Sequence, residues 1–289
     1  MCRHLAYLGP PASLAQLVVA PSHGLYEQSW APRLQTHGVV NADGFGLGWY
    51  PAGDEEPARY RRAVPIWADP NLPELARAIR STAVLAAVRS ATPGTGQEET
   101  ACAPFRSGRF LFSHNGAIPD WANLPADLGP AADLAQADLL TLEARSDSAL
   151  LWALICSRLG RGDSPETALA AVVRDVAAVR PTARLNLLLT DGTTIVAVRH
   201  GDTLWYRTAA ESVIVASEPD DQADRGSQHG LGGQHDRGGQ DDRDPDAWHE
   251  VPDHSLLSAD PAGGVRATSL TSMTSLTSSP SSTTLESAV

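Results

Sequence analysis

The sequence predicts an α+β fold built from layers of antiparallel strands and helices. Two well-delimited helical segments lie between residues 146 and 181, and three short β-rich runs separated by turn dipeptides follow at once. Helices interleaved with hairpin-type strands differ from the regular β-α alternation of a doubly wound parallel sheet. With 289 residues the chain has room for one large or two modest domains and a sizeable core.

The elements read as follows. Cys2 to Leu8 is an apolar strand candidate at the start of the chain. Ser13 and Gln16 form an S-x-x-Q capping box ahead of Leu14, Leu17 and Val18, and Pro21 ends this short helix. Ala83 to Val88 and Arg109 to Ser113 are further strands. A helix follows Ser146, runs through Leu150, Leu151 and Leu154, and stops at Gly160. Ser164-Pro165 opens another, whose Leu169, Val172, Val173 and Val176 fall at i, i+3, i+4 and i+7 before Pro181. Leu185 to Leu189, Thr194 to Arg199 and Leu204 to Arg207 are separated by Asp191-Gly192 and Gly201-Asp202, which predicts successive hairpins and an antiparallel meander.

Composition narrows the setting. The net charge is −12, and all 22 basic residues are arginine. An acidic surface repels phosphate backbones, which argues against nucleic acid and anionic membranes as partners. Three cysteines, Cys2, Cys102 and Cys156, lie far apart without C-x-x-C spacing, so neither a disulfide framework nor a structural zinc site is expected. A reducing cytoplasm fits best. No apolar run reaches the roughly 20 residues of a membrane span, and Gly9-Pro10-Pro11 interrupts the apolar stretch after Arg3, against a secretory signal.

Residues 2–219 have globular texture and form the expected catalytic domain. Residues 220–247 are Asp, Gly, Gln, Arg and His with Leu231 as the one large apolar side chain, too little to offset the entropy of ordering, so a disordered insertion is expected. Residues 248–261, with Trp248 to Pro252 and Leu256-Leu257, return to the core. Residues 262–289, rich in Ser and Thr, read as a loose tail.

Several residues have two readings each. Cys2 is either a small residue at a strand start or, once Met1 is removed, a thiol on the same residue as a free α-amine. That amine, with a pKa of about 7.7 to 8.0, is partly neutral near pH 7 and would take the thiol proton. His114-Asn115-Gly116 is either an Asn-Gly turn or, at a strand end, a side-chain amide and an unhindered N–H suited to an oxyanion. Arg89, at the end of an apolar strand before Ser90-Ala91-Thr92-Pro93-Gly94, is a surface ion-pair partner or a carboxylate clamp. Asp147 is a helix amino-end charge or an ammonium partner. Cys102 or Cys156 with His114 would make a papain-like pair, and Cys2 with His4 and further histidines such as His235 and His249 a metal site; both are weaker readings.

Taken together and in order, these residues resemble the glutaminase domain of class II glutamine amidotransferases, members of the N-terminal-nucleophile hydrolase superfamily. The resemblance implies a four-layer αββα sandwich of antiparallel sheets. It implies Cys2 as the processed nucleophile, and Asn115 with Gly116 as the oxyanion hole. It also implies Arg89 and Thr92 on the glutamyl α-carboxylate, Asp147 on the α-amino group, and no metal or organic cofactor. Asn41 to Tyr50, Val215 to Pro219 and Trp248 to Pro252 resemble the branch of that family that hydrolyses γ-glutamyl-hercynylcysteine sulfoxide in ergothioneine biosynthesis. The implied partner is a small γ-glutamyl substrate. Two alternatives remain beside it: an ammonia-delivering subunit of a larger synthase, and a non-catalytic γ-glutamyl-binding module. The glycines of G-x-G-x-G at 44–48, followed by Trp-Tyr-Pro rather than a helix, are expected to permit close backbone approach instead of dinucleotide binding. A trimethylammonium-bearing leaving group would suit an aromatic or acidic pocket, to which Trp49 or Trp67 could contribute; spacing alone does not choose among the seven tryptophans, and that pocket is left unassigned.

Overall fold

Strand β1 (Arg3–Ser13) turns alternate side chains to opposite faces, and that alternation divides the core. Leu5 and Tyr7 pack with Leu14, Val18, Leu25, Ile66 and Leu72 under a layer of short helices. Ala6 and Leu8 pack the other way, against Leu111, Leu188, Ala197 and Leu257 of a second sheet. A third core lies beyond that sheet, where Phe112, Leu187 and Val198 meet Leu151, Ile155, Leu169 and Val173 of two long helices. Three cores between four layers make the αββα sandwich. A computed structural model describes residues 2–92, 94–132, 134–221, 247–262 and 264–273.

The first sheet contains β1, β2 (Phe45–Trp49), β3 (Ala58–Arg62), β4 (Arg80–Val88), and later β9 (Trp205–Ala209), β10 (Ser212–Ala216) and β11 (His249–Glu250). The second contains β5 (Phe105–Ser107), β6 (Phe110–Ala117), β7 (Arg184–Thr190), β8 (Ile195–Arg199), β12 (Ser255–Asp260) and β13 (Gly264–Ser269). Their orders are β11-β9-β10-β1-β4-β2-β3 and β13-β12-β8-β7-β6-β5. Arg3 pairs with Val88 and Phe45 with the same Val88, so β1, β4 and β2 end in step. The two long helices, Asp147–Gly160 and Pro165–Val179, are each capped by the serine before them, through bonds from Ala149 and Thr167 N–H to the Ser146 and Ser164 hydroxyls.

Four expectations need correction. The meander is broken: β7 pairs with β8, but β8 then pairs with β12 and β9 with β10 in the other sheet. Gly201-Asp202 is the crossing point rather than a hairpin turn, because Asn186 donates to the Asp202 and Thr203 carbonyls and anchors the chain as it changes layer. β1 runs through Pro10-Pro11 to Ser13, its register against β4 shifting between Leu8 and Ala12, an irregularity that accommodates proline. The Ser13/Gln16 capping box forms, with Ser13 N–H on the Gln16 side-chain Oε1 at 2.9 Å and Gln16 N–H on the Ser13 hydroxyl at 3.2 Å, yet it opens a single π-helical turn, Ala15–Val19. Part of the supposed tail is structured: residues 264–269 add β13 to β12, satisfying that strand's backbone, and Leu270–Met273 is helical. Of the supposed insertion, residues 222–246 lie outside the described residues; so do residues 274–289.

A buried ion pair joins the start of β1 to the segment after β10. The Arg3 and Glu218 side chains are both fully buried, with Nε and Oε2 3.5 Å apart. Glu218 also accepts from His23 Nε2 at 2.7 Å and from the N–H groups of Arg33 and Leu34 at 3.0 and 2.8 Å. Burial alone would raise its pKa; these bonds and Arg3 outweigh that and hold it below the usual carboxylate range. Glu218→Gln is expected to lower the unfolding free energy by about 3–5 kcal/mol, since Arg3 loses its counter-charge; urea denaturation would measure this.

Candidate active site

The site is assembled where β1, β4 and β2 end together. Cys2 stands one residue before Arg3, and Arg89 one residue after Val88, so the paired register sets them side by side. The next strand contributes Asp43 and Gly44: Arg89 N–H donates to the Gly44 carbonyl at 2.8 Å, and Asp43 N–H to the Arg89 carbonyl at 2.9 Å. The Asp43 carboxylate accepts from Ala91 N–H at 2.8 Å, which fixes the chain leaving β4. A Cβ at Gly44, whose φ is +136°, would overlap the Cys102 sulfur, and one at Gly46 the Ala103 carbonyl, so these glycines do serve close approach next to Arg89.

Alternation points Cys2 and His4 into the space between the sheets. There His4 Nδ1 meets the Ser113 hydroxyl at 3.1 Å. Asn115, two residues further along β6, falls on the same face, and its Nδ2 donates to the Ser217 hydroxyl at 3.3 Å. Ser217 is tied in turn to β1, accepting His4 N–H at 3.0 Å and donating its own N–H to the His4 carbonyl at 2.9 Å. Asn115 therefore shares one layer and one hydrogen-bonded group with the strand that carries Cys2.

The dipeptide Asn115-Gly116 lies in the last three residues of β6, paired with Asn186 and Leu185, and is not a turn; the strand expected to stop at Ser113 runs on to Ala117. Of the two readings of this dipeptide, the turn is therefore excluded. A Cβ at Gly116 would overlap the carbonyl oxygen of Arg184. β5 pairs with Phe110–Phe112 alone, so no described strand covers the β6 edge at Gly116 on that side.

Arg89 and Asp147 are both buried. Arg89 Nη2 donates to the Thr95 hydroxyl at 3.0 Å and the Gly96 carbonyl at 2.6 Å, while Nη1, buried, has no hydrogen-bond partner. Asp147 Oδ2 accepts from the Thr92 hydroxyl and from Ile118 N–H, each at 3.2 Å, and Oδ1 from Ser148 N–H at 2.9 Å. Thr92 thus contacts Asp147 rather than Arg89. Gly96 N–H on the Arg145 carbonyl at 2.9 Å ties the 92–96 turn to the segment preceding the long helix. An anion between these groups would find an unmatched guanidinium N–H, and a cation a carboxylate already oriented.

Burial pushes the Cys2 thiol up and the Asp147 charge adds to the rise, while the positive N-terminus, a backbone hydrogen bond from Ser90 and the Arg89 charge oppose it; the thiol itself lies 3.7 Å from the Ser90 carbonyl. A protonated thiol needs a base. His4 is a poor one, for burial together with the charges of His114 and Arg3 lowers it to about 3. The papain-like alternatives fail on geometry: both His114 nitrogens are engaged, by Ser148 Oγ and the Arg184 carbonyl, each at 3.0 Å. Burial also raises Cys102 and Cys156 to about 11. Among the described residues no group of three His, Cys, Asp or Glu is placed to hold a metal. An open cleft of about 430 Å³ between Pro11, Tyr50, Arg80 and Asp191 lies at the opposite end of β1 and β4 and involves none of these groups.

The supporting roles of Arg3, Asp43, Ser113 and Ser217 were not assigned from the sequence, and His4 was read there only as a weaker metal-ligand candidate. A charged residue, Arg3, opening an otherwise apolar strand was the available signal, since charge in such a place is either solvated or partnered.

The family model described as "Glutamine amidotransferases class-II" matches residues 24–213. The chain belongs to the class II glutamine amidotransferases. Cys2 precedes the matched span. A γ-glutamyl-hercynylcysteine sulfoxide hydrolase of Mycolicibacterium smegmatis is 41% identical over 258 residues, 89% of this chain and 95% of that protein. The Mycobacterium tuberculosis protein of the same name is 38% identical over 263 residues, 91% and 94% of the two chains. Among solved structures, a glutamine aminotransferase class-II domain protein from Silicibacter pomeroyi superposes with a TM-score of 0.61 at 23% identity, covering 93% of this chain and 99% of that one, which shows a shared fold.

The pH behaviour of His4 follows from its lowered pKa. The unfolded chain binds a proton near pH 6.5 that the native state refuses until about pH 3. Stability is therefore full above pH 6.5 and declines as pH falls below it. In an NMR titration the His4 ring resonances should not move between pH 5 and 8. Separately, Gly116→Ala should destabilise the fold by about 1–3 kcal/mol through overlap with the Arg184 carbonyl, measurable as a lower Tm.

Proposed function

We propose that this amidotransferase-family chain hydrolyses the γ-glutamyl amide of γ-glutamyl-hercynylcysteine sulfoxide, releasing glutamate, with Cys2 as its nucleophile after removal of Met1. The observation that carries the reading is the set of opposite buried charges, Arg89 and Asp147, both felt by the Cys2 thiol. A glutamyl group ends in one carboxylate and one ammonium, and these two side chains suit them. Arg89 Nη1 would take the α-carboxylate. Asp147, oriented by Thr92, would take the α-ammonium, so Thr92 acts through the carboxylate. The relatives' names and their coverage of nearly the whole chain support the choice of substrate.

Held by both ends, the substrate presents its γ-carbonyl to the sulfur, and positioning supplies much of the rate. The α-amine of Cys2 takes the thiol proton, a role His4 cannot fill at neutral pH. Sulfur attack forms a C–S bond and a tetrahedral oxyanion. Gly116 N–H is one donor to it. The other is Asn115 Nδ2, freed when the amide turns half over and its unpartnered Oδ1 accepts the Ser217 hydroxyl proton. Collapse breaks the C–N bond as the leaving amine takes the proton from the Cys2 ammonium. Water, deprotonated by the same amine, then hydrolyses the γ-glutamyl thioester and restores the thiol. The three free thiols fit a reducing cytoplasm as the compartment.

Cys2→Ala should fold normally and lose glutamate release from γ-glutamyl-hercynylcysteine sulfoxide to below about one thousandth, and Arg89→Ala should raise KM at least tenfold by loss of a charged bond. Steady-state assays against that compound and against glutamine test both: turnover surviving in Cys2→Ala, or faster turnover of glutamine, would remove the reading.

A further inference from the structure

Exposed apolar side chains gather at the strand end that carries Cys2. Among the described residues, six large hydrophobics are exposed, and five of them, Trp30, Leu34, Val39, Val40 and Trp67, lie on two adjoining segments. Residues 29–41 form a loop closed by Asn41 N–H on the Ser29 carbonyl at 2.7 Å. Its far end leads through Asp43 and Gly44, both bonded to Arg89, into β2. Its near part is held by the Arg33 and Leu34 N–H bonds to Glu218, the partner of Arg3. Trp67 comes off the same end, because Arg62, the last residue of β3, pairs with Phe45, the first of β2.

Trp30 and Trp67 meet edge to face, with centroids 5.7 Å apart and planes at 90°, and each is 39% exposed. Tyr26 also stands perpendicular to Trp30, with centroids 5.0 Å apart. Two perpendicular indoles leave an open corner whose walls are electron-rich ring faces, the arrangement that attracts quaternary ammonium groups without offering them hydrogen bonds. Charge agrees: the chain has net charge −12 and no lysine. Trp49, the other candidate from the sequence, is at the opposite end of β2, beside Val84, and is excluded.

We propose that the Trp30–Trp67 corner binds the quaternary ammonium group of the substrate's leaving half. This rests on the γ-glutamyl amidohydrolase reading and assigns the part of the substrate that Arg89 and Asp147 do not hold. The corner thereby favours amides whose amine bears a fixed cation over amides with neutral amines, and free glutamine, which lacks that half, gains nothing from it.

The test compares kcat/KM for γ-glutamyl-hercynylcysteine sulfoxide and for a neutral γ-glutamyl anilide in the wild type, Trp30→Leu, Trp67→Leu and Trp30→Phe. Each leucine variant should reduce the preference for the cationic amide about tenfold, chiefly through KM, and Trp30→Phe should restore most of it. Tetramethylammonium chloride should change the tryptophan fluorescence of the wild type relative to sodium chloride of equal ionic strength, and less in the leucine variants. An unaltered preference, or equal loss on both amides, overturns the proposal. So does a concentration-dependent dimer in sedimentation that Trp30→Leu dissociates, because the corner would then belong to a second copy. Should no γ-glutamyl amide be hydrolysed while tetramethylammonium still gives its fluorescence change, the amidohydrolase reading fails and the cation site stands.

Discussion

The antiparallel register of β1 against β4 governs the rest of the molecule. With Arg3 opposite Val88, Cys2 falls next to Arg89, and the shared Val88 brings Gly44 and Asp43 up on the far side. A slip of one residue would turn Cys2 out of the space between the sheets and send Ala6 and Leu8 into the wrong core. The register is held from two directions. Leu5 and Tyr7 are buried under the helices, and Ala6 and Leu8 against the second sheet.

Polar burial is concentrated at one end of this scaffold. Arg3, His4, Arg89, Ser113, Asn115, Asp147, Ser217 and Glu218 are all buried, and most are hydrogen-bonded to one another or to nearby backbone. Such groups are costly unless satisfied. Five of their atoms remain without a hydrogen-bond partner here: Arg89 Nη1, Asn115 Oδ1, His4 Nε2, and Arg3 Nε and Nη2. The first two belong to groups placed for a glutamyl carboxylate and an oxyanion, so part of the desolvation cost is recovered only when substrate binds. The Arg3–Glu218 pair differs in kind: its function is to anchor the loop that bears Trp30 to the strand that bears Cys2.

Much of this was legible in the chain because it rests on local rules. Ser146 and Ser164 mark helix starts, Gly160 and Pro181 helix stops, and Val, Leu and Ile runs mark β4, β7 and β8. Which strands pair was less accessible. Nothing in Gly201-Asp202 distinguishes a hairpin turn from a passage between sheets, since the deciding bonds come from Asn186, a residue on β7. Asn115-Gly116, which reads equally as a turn, lies within β6, where the glycine meets a carbonyl sixty-eight residues away. The site residues were found through their joint order along the chain. The supporting Arg3, Ser217 and Glu218 were not assigned roles, because burial of a charge is a tertiary fact.

The central claim is that the Cys2 sulfur, with a free α-amine on the same residue, is the atom that attacks a glutamyl γ-carbon. The most direct measurement is peptide mass mapping after reaction with an electrophilic diazoketone analogue of glutamine. The account requires one adduct, on the sulfur of an N-terminal peptide that begins at Cys2 and lacks Met1. An adduct on Cys102 or Cys156, or full labelling of a peptide that retains Met1, would contradict it.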